Sequence, residues 1–286
     1  MKTSSLIFRR LTFKEFETLV NWAALEGWNP GLFDAEIFWA TDPEGFYGYF
    51  EGDTLIGGGS IVSYDGEFGF MGFFIVHPDY RAKGIGRNLW QQRQDTLLAR
   101  LQPNAAIGMD GVVAMQPFYQ KGGFKIAYRD ERYEKTGCFY PTNPLVQPCT
   151  EKDWKGINAL DLECFGLRRK RFLKLWLEAT NVKTFQYTVN ESLLGFAVIR
   201  QCQTGYKIGP LFAENETVAA ALYERCLSES IDKPVFLDIP VCNEAAVNLV
   251  QQYKATYVFE CARMYYGTPP NSALKKIFGI TSFELG

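Results

Sequence analysis

Glu67-Phe-Gly-Phe-Met-Gly-Phe-Phe-Ile-Val-His-Pro-Asp-Tyr-Arg-Ala-Lys-Gly-Ile-Gly-Arg-Asn-Leu89 is the stretch on which the fold turns. Phe68 to Val76 is an apolar, aromatic and β-branched run, as a buried strand requires. Pro78 ends it, because proline has no N–H to give a ladder. From Gly86 the pattern turns helical, with Leu89, Trp90, Arg93, Leu97, Leu98 and Leu101 at spacings of 1, 3, 4 and 7.

A glycine-containing turn joins the two. The first N–H groups of a helix have no intrahelical partner, and the helix dipole puts partial positive charge at that end. Gly84 and Gly86 lack the Cβ atoms that would hold a phosphate off the backbone, and Arg81, Lys83 and Arg87 add formal charge. Residues Arg81, Ala82, Lys83, Gly84, Ile85, Gly86 and Arg87 thus have the chemistry of a pyrophosphate cradle. Spacing excludes two other phosphate loops. There is no G-x-x-x-x-G-K-[ST], and Leu89 stands where G-x-G-x-x-G needs its third glycine.

Composition narrows the class. A chain of 286 residues is long enough for two domains, and 47% apolar with 22% charged residues is globular rather than disordered. A net charge of −2 argues against nucleic-acid or membrane-surface binding. No signal-peptide core and no apolar run of about 18 residues are present, so no membrane span is expected. Seven cysteines without C-x-x-C read as reduced thiols, which predicts a cytoplasmic protein. His77 is the single histidine, so multi-histidine metal sites are excluded and no metal is expected.

Val76-x-Pro78-x-x-Arg81-x-x-Gly84-x-Gly86-x-x-Leu89 resembles the acyl-CoA pyrophosphate motif of the GNAT N-acetyltransferase superfamily. Phe118-Tyr119-Gln-Lys-Gly-Gly123-Phe124 resembles that family's second signature, Y-x-x-x-G-F. The order of elements is similar as well. A strand at Ile7–Leu11, helices at Phe13–Ala24 and Ala35–Ala40 and a three-strand meander precede the cradle. A strand at Ala105–Met109, a helix at Val112–Gln120 and a strand at Phe124–Tyr133 follow it. Thr12 with Glu15 is a capping box for the first helix, and Asp34 reads as the cap of the second.

The second half repeats this order without the cradle. Gly209-Pro-Leu-Phe-Ala-Glu214-Asn-Glu216 replaces it, and its carboxylates would repel a pyrophosphate. The expected fold is α/β (α+β): two tandem GNAT folds, each a mixed, mostly antiparallel sheet flanked by helices. A catalytic domain at 1–135, a proline-rich linker at 136–150 and a degenerate GNAT-like domain at 151–286 are expected. Glu26-Gly-Trp-Asn-Pro-Gly31, Asp238-x-Pro240 and the closing Glu284-Leu-Gly286 resemble a bacterial two-domain group within the family.

The resemblance implies an acetyl-CoA-dependent N-acetyltransferase acting on a primary amine of a small molecule bound between the domains. Two alternatives stay open: a non-catalytic acyl-CoA sensor, and a protein lysine or N-terminal acetyltransferase. By analogy, the backbone of Phe74, Ile75 and Val76 pairs with the pantetheine arm, and an N–H near Ile75 or Val76 polarises the thioester. Tyr119 stands at the family's position for the acid that protonates the departing thiolate. For the general base the candidates are Glu67 and Asp110, with the α-carboxylate of Gly286 a remote one. The loop between the first two helices implies substrate contacts from Glu26, Trp28, Asn29, Phe33 and Asp34, completed by Asp161, Arg168 and Asp238. Val112 departs from the family, which commonly has asparagine at that place.

Overall fold

The computed structural model describes residues 6–286; residues 1–5, the start of the first expected domain, lie outside it. The first half runs β1 (Ile7–Arg10), α1 (Phe13–Leu25), α2 (Asp34–Thr41), β2 (Phe46–Glu51), β3 (Thr54–Tyr64), β4 (Phe68–Val76), α3 (Ile85–Leu98), β5 (Ala106–Val112), α4 (Gln116–Lys121) and β6 (Lys125–Thr136). The second runs β7 (Val146–Pro148), α5 (Trp154–Phe165), α6 (Lys170–Glu178), β8 (Val182–Val189), β9 (Ser192–Gln201), β10 (Tyr206–Ala213), α7 (Glu216–Ser228), β11 (Pro234–Pro240), α8 (Glu244–Gln252), β12 (Thr256–Tyr266) and β13 (Ile277–Gly279).

Local chemistry places most of these ends. The capping box of α1 forms in full, Thr12 accepting from the Glu15 N–H and Glu15 from the Thr12 N–H. Its buried face is Phe16, Leu19, Val20 and Ala23. Asp34 is not the cap expected at α2. It is the first helical residue, and its buried carboxylate reaches back to the Gly31 N–H and across to Arg200. The carboxylate thus serves a local N–H and a distant buried cation together, instead of capping the helix.

The strands make one mixed, mostly antiparallel sheet in the order β1-β2-β3-β4-β5-β12-β6-β11-β10-β9-β8-β7, with β13 added beside β10. The two halves exchange their last long strands. β12, from the end of the chain, lies between β5 and β6, while β6 pairs with β11 of the second half. The stretch 136–150 contributes β7 to the far edge, and Gly137 hydrogen-bonds with Lys233 and Asp232.

Only the pairs β4–β5 and β10–β11 are parallel among the described residues, and each is brief. β4 meets β5 from Phe68 to Phe70, and β10 meets β11 from Tyr206 to Ile208. Beyond those residues the strands splay. On the first half the splay opens a cavity. On the second, β13 fills it: Leu211 pairs with Gly279 and Phe212 with Ile277, and the Ile280 N–H donates to Asp238. A Cβ on Gly209 would run into the backbone oxygens of Thr281 and Ile280.

Candidate active site

β4 carries a bulge where it leaves β5. Gly58 faces Ile75 and Ser60 faces Gly72, so Phe73 and Phe74 together oppose Gly59. Phe73 takes φ of +50°, a conformation unusual for a bulky residue. Arg93 of α3 occupies the gap. It is fully buried, donates to the carbonyls of Ser60 and Gly72, and stands where a Cβ of residue 59 would be. Burial pulls its guanidinium down to about 9. The bulge therefore has a built support, and it turns the edge of residues 73–76 toward the cavity.

The cavity encloses about 600 Å³. At one end stands the cradle. Gly84 is the N-terminal residue before α3, with φ of +78° and no capping side chain, and the first turn of α3 holds no acid. Added Cβ atoms would meet open space at Gly84, and Val76 and Phe74 at 3.5 and 3.6 Å at Gly86. Arg81, Ala82, Gly86 and Arg87 line the cavity, as do Phe74, Ile75 and Val76. Lys83, Gly84 and Ile85 do not line it. The Lys83 Nζ donates to the Asp79 carbonyl and lies over the Tyr80 ring, while Ile85 packs beside Tyr49, Ile56 and Leu89. Bare N–H groups, missing Cβ atoms and nearby arginines fit a pyrophosphate.

Between the ends stands Tyr119, packed on Trp90 at 4.7 Å between ring centroids. Burial pushes its phenol well above the ordinary value, with the Arg93 charge pulling the other way. It stays protonated through neutral pH.

The far end is made by both halves. Trp28 and Asp110 come from the first; Phe259, Cys261, Phe283 and Glu284 come from the second. Asp110 lies inside β5 rather than after it, and Arg263 of β12 holds both its oxygens at 2.7 and 2.9 Å. Burial raises its carboxyl to about 6, against the lowering pull of Arg263. On the same face of the sheet Arg132 pairs with Asp238 and stacks over Phe259 and Phe283. Burial pushes the Cys261 thiol well up, which leaves it neutral.

Other expected site residues go elsewhere. Glu67 is exposed in the turn before β4 and does not line the cavity. Eight residues of extended chain, about 27 Å, separate it from Ile75. Glu26 lines the cavity but pairs with Arg81 at the cradle end. Asn29 hydrogen-bonds Thr204 through both side-chain atoms, Phe33 packs into the core, and Asp34 is paired to Arg200. Asp161 pairs with Arg169, and Arg168 is exposed. The Gly286 oxygen accepts from Arg169, away from the cavity lining. Phe259, Cys261, Phe283 and Glu284 were missed because no local pattern assigns them. The one available signal was a lone acid in the apolar run Ile277-Phe-Gly-Ile-Thr-Ser-Phe-Glu284-Leu.

Among the described residues no group of histidine, cysteine or acidic side chains could hold a metal ion, and no helix is long and apolar enough to cross a membrane.

Residues 13–124 match the acetyltransferase (GNAT) family, and residues 157–279 match an acetyltransferase (GNAT) domain. The chain is 30% identical to a protein named holothin acyltransferase from Pseudoalteromonas sp. (strain SANK 73390), over 96% of this chain and 92% of that one. It is 28% identical to the uncharacterized N-acetyltransferase YitH of Bacillus subtilis (strain 168), over 64% and 66% of the two. Among solved structures, a proposed acetyltransferase from Pyrococcus horikoshii superposes with a TM-score of 0.85 at 22% identity, covering 100% of this chain and 98% of that one. A tandem GNAT protein of clavulanic acid biosynthesis gives 0.63 at 11%, covering 92% and 98%. At those identities the structures speak for the fold.

Proposed function

The chain belongs to the GNAT acetyltransferase family and is an acyltransferase, and from that premise we propose that it moves an acetyl group from acetyl-CoA to a primary amine of a small molecule held between its two halves. The observation that carries this is a cavity that runs from the bare N-terminus of α3 to an end built by residues of both halves. Its volume of about 600 Å³ lies in the range of small-ligand sites.

Acetyl-CoA supplies a thioester, whose acyl carbon is open to attack by an amine. The N–H groups at the start of α3, with Arg81 and Arg87, would hold its diphosphate. The strand edge at Phe74 to Val76 would pair with the extended arm and aim an N–H at the acyl oxygen. Tyr119, kept protonated by burial, would give its proton to the sulfur. The second splay is filled by β13, which supports one donor site per chain. Walls of Trp28, Phe259 and Phe283 beside acids suit an amine with an apolar body.

Calorimetry with acetyl-CoA, followed by thiol release with polyamines, amino acids, aminoglycosides and aromatic amines, tests the reading. Saturable binding and amine-dependent thiol release are expected. Binding without release by any amine would leave an acyl-CoA sensor, and absence of binding at millimolar acetyl-CoA would sink both.

A further inference from the structure

We propose that Glu284 is the residue that takes the proton from the acceptor amine, delivered to the site by the tail that follows β13. The inference rests on acyl transfer as the reaction and adds the residue that reading lacks.

Three carboxylates line the cavity: Glu26, Asp110 and Glu284. Glu26 is paired with Arg81 at the cradle. Asp110 has both oxygens on Arg263. Glu284 is 4% exposed, and its buried Oε2 has no hydrogen-bond partner among the described residues. A buried carboxylate oxygen without a donor is costly to keep, and an incoming ammonium or amine N–H would satisfy it. Tyr119 and Cys261 are held neutral by burial, and Tyr80 is raised by its bond to Glu51, so none of the three supplies a base.

Position agrees with this role. The tail crosses β4 at Gly72, immediately before the bulge, so closely that a Cβ there would overlap the backbone oxygen of Glu284. Glu284 thus sits over the strand whose next residues edge the cavity. Its neighbours on both sides are pinned. Ser282 Oγ accepts from the Leu285 N–H, Tyr64 donates to the Leu285 carbonyl at 2.8 Å, and Arg169 donates to Gly286 at 2.6 Å. Its charge is felt by Asp110, which lines the cavity, and by the buried cations Arg132, Arg200 and Lys207. One continuous segment therefore does two things. Residues 277–280 close the splay of the second half, and four residues later the chain brings an acid into the splay of the first.

The proton ledger closes. Glu284 takes one proton from the ammonium, and the freed lone pair forms the C–N bond as the carbonyl π pair moves to oxygen. Collapse breaks the C–S bond, and the sulfur leaves with that pair and receives the Tyr119 proton. The tyrosinate takes the second nitrogen proton, the third remains as the amide N–H, and Glu284 returns its proton to solvent. An ammonium and a thioester become an amide, a thiol and one released proton.

Thiol release from acetyl-CoA is compared for wild type, Glu284→Gln and Glu284→Asp. The probes are benzylamine, an ammonium at neutral pH, and aniline, already a free base. Glu284→Gln should lose on the order of 10²-fold in turnover with benzylamine, the usual contribution of a general base. The loss with aniline should be clearly smaller, and Glu284→Asp should fall between, with acetyl-CoA affinity and melting temperature unchanged. Equal losses with both amines, or none with either, would overturn the assignment. If the wild type releases no thiol with these or any amine of the wider panel, acyl transfer itself falls and Glu284 with it.

Discussion

Arg263 grips both carboxylate oxygens of Asp110, at 2.7 and 2.9 Å, although the two stand 153 residues apart. The pair ties β12, from the end of the chain, to β5 of the first half, and both side chains are nearly or fully buried. Exchange of strands has put a cross-half ion pair beside the cavity.

Replacing Arg263 by Met strands that carboxylate in the interior. Stability should fall by about 3–5 kcal/mol at pH 8, read by denaturant titration. Asp110 is already raised to about 6 by burial, and without the arginine it rises further. The loss should shrink as pH falls toward 5, where the carboxyl takes up a proton. Asp110→Asn combined with Arg263→Met should recover much of it. A single Arg263→Met protein as stable as wild type at pH 8 would show that the pair does not matter.

Asp130 lies on β6 opposite Cys261, fully buried, with neither oxygen hydrogen-bonded among the described residues. Burial, aided by the Asp110 charge, pushes its carboxyl well above the ordinary range. The folded state therefore holds this proton more tightly than the unfolded state. Stability is fully present below about pH 4 and is lost as pH rises through the raised value. Asp130→Asn should remove that loss, so its melting temperature should exceed the wild type's by a margin that grows from pH 4 to 8. Parallel curves would contradict it.

Two cradle glycines should behave differently. At Gly86 an added side chain fits, so Gly86→Glu should fold while placing a carboxylate in the cradle. Acetyl-CoA binding should weaken by about 100-fold or more, the scale of a like charge a few ångströms from a diphosphate. Gly84→Ala meets no atom but must hold φ of +78°, at about 1–2 kcal/mol. That variant should melt earlier and keep measurable binding in calorimetry.

Gly72→Ala should strike the tail instead. Overlap with the Glu284 backbone should cost about 1–3 kcal/mol, the usual range for overpacking. Limited proteolysis should then cut after β13 faster than in the wild type, while acetyl-CoA binding survives. Unchanged proteolysis would mean that the tail is held elsewhere.

Tyr119→Phe removes the phenolic proton and keeps the ring that packs on Trp90. Thiol release should slow by about 10²-fold or more with acetyl-CoA affinity retained. Wild-type rates would assign the sulfur's proton to another source.

Much of the fold was legible because its signals are short-range. The apolar, β-prone run of β4, the capping box at Thr12 and the glycines before α3 each act within a few residues. Where short-range reading failed, a distant partner had won. Asp34 reads locally as a helix cap, yet Arg200 lies across the core from it. Asn29 reads as a substrate contact, yet it fastens its loop to Thr204. Glu67 stands just before β4, and the length of that strand keeps it from the cavity.

By itself the sequence determined the cradle, since a strand end, two glycines and a helix N-terminus are contiguous and build the geometry between neighbours. Only the tertiary structure decided the opposite end of the cavity. There Trp28, Asp110, Cys261 and Glu284 meet because β12 inserts between β5 and β6 and because the tail, after filling one splay, continues into the other. Which strand pairs with which is set by burial of the whole sheet, and no window of neighbouring residues contains that information.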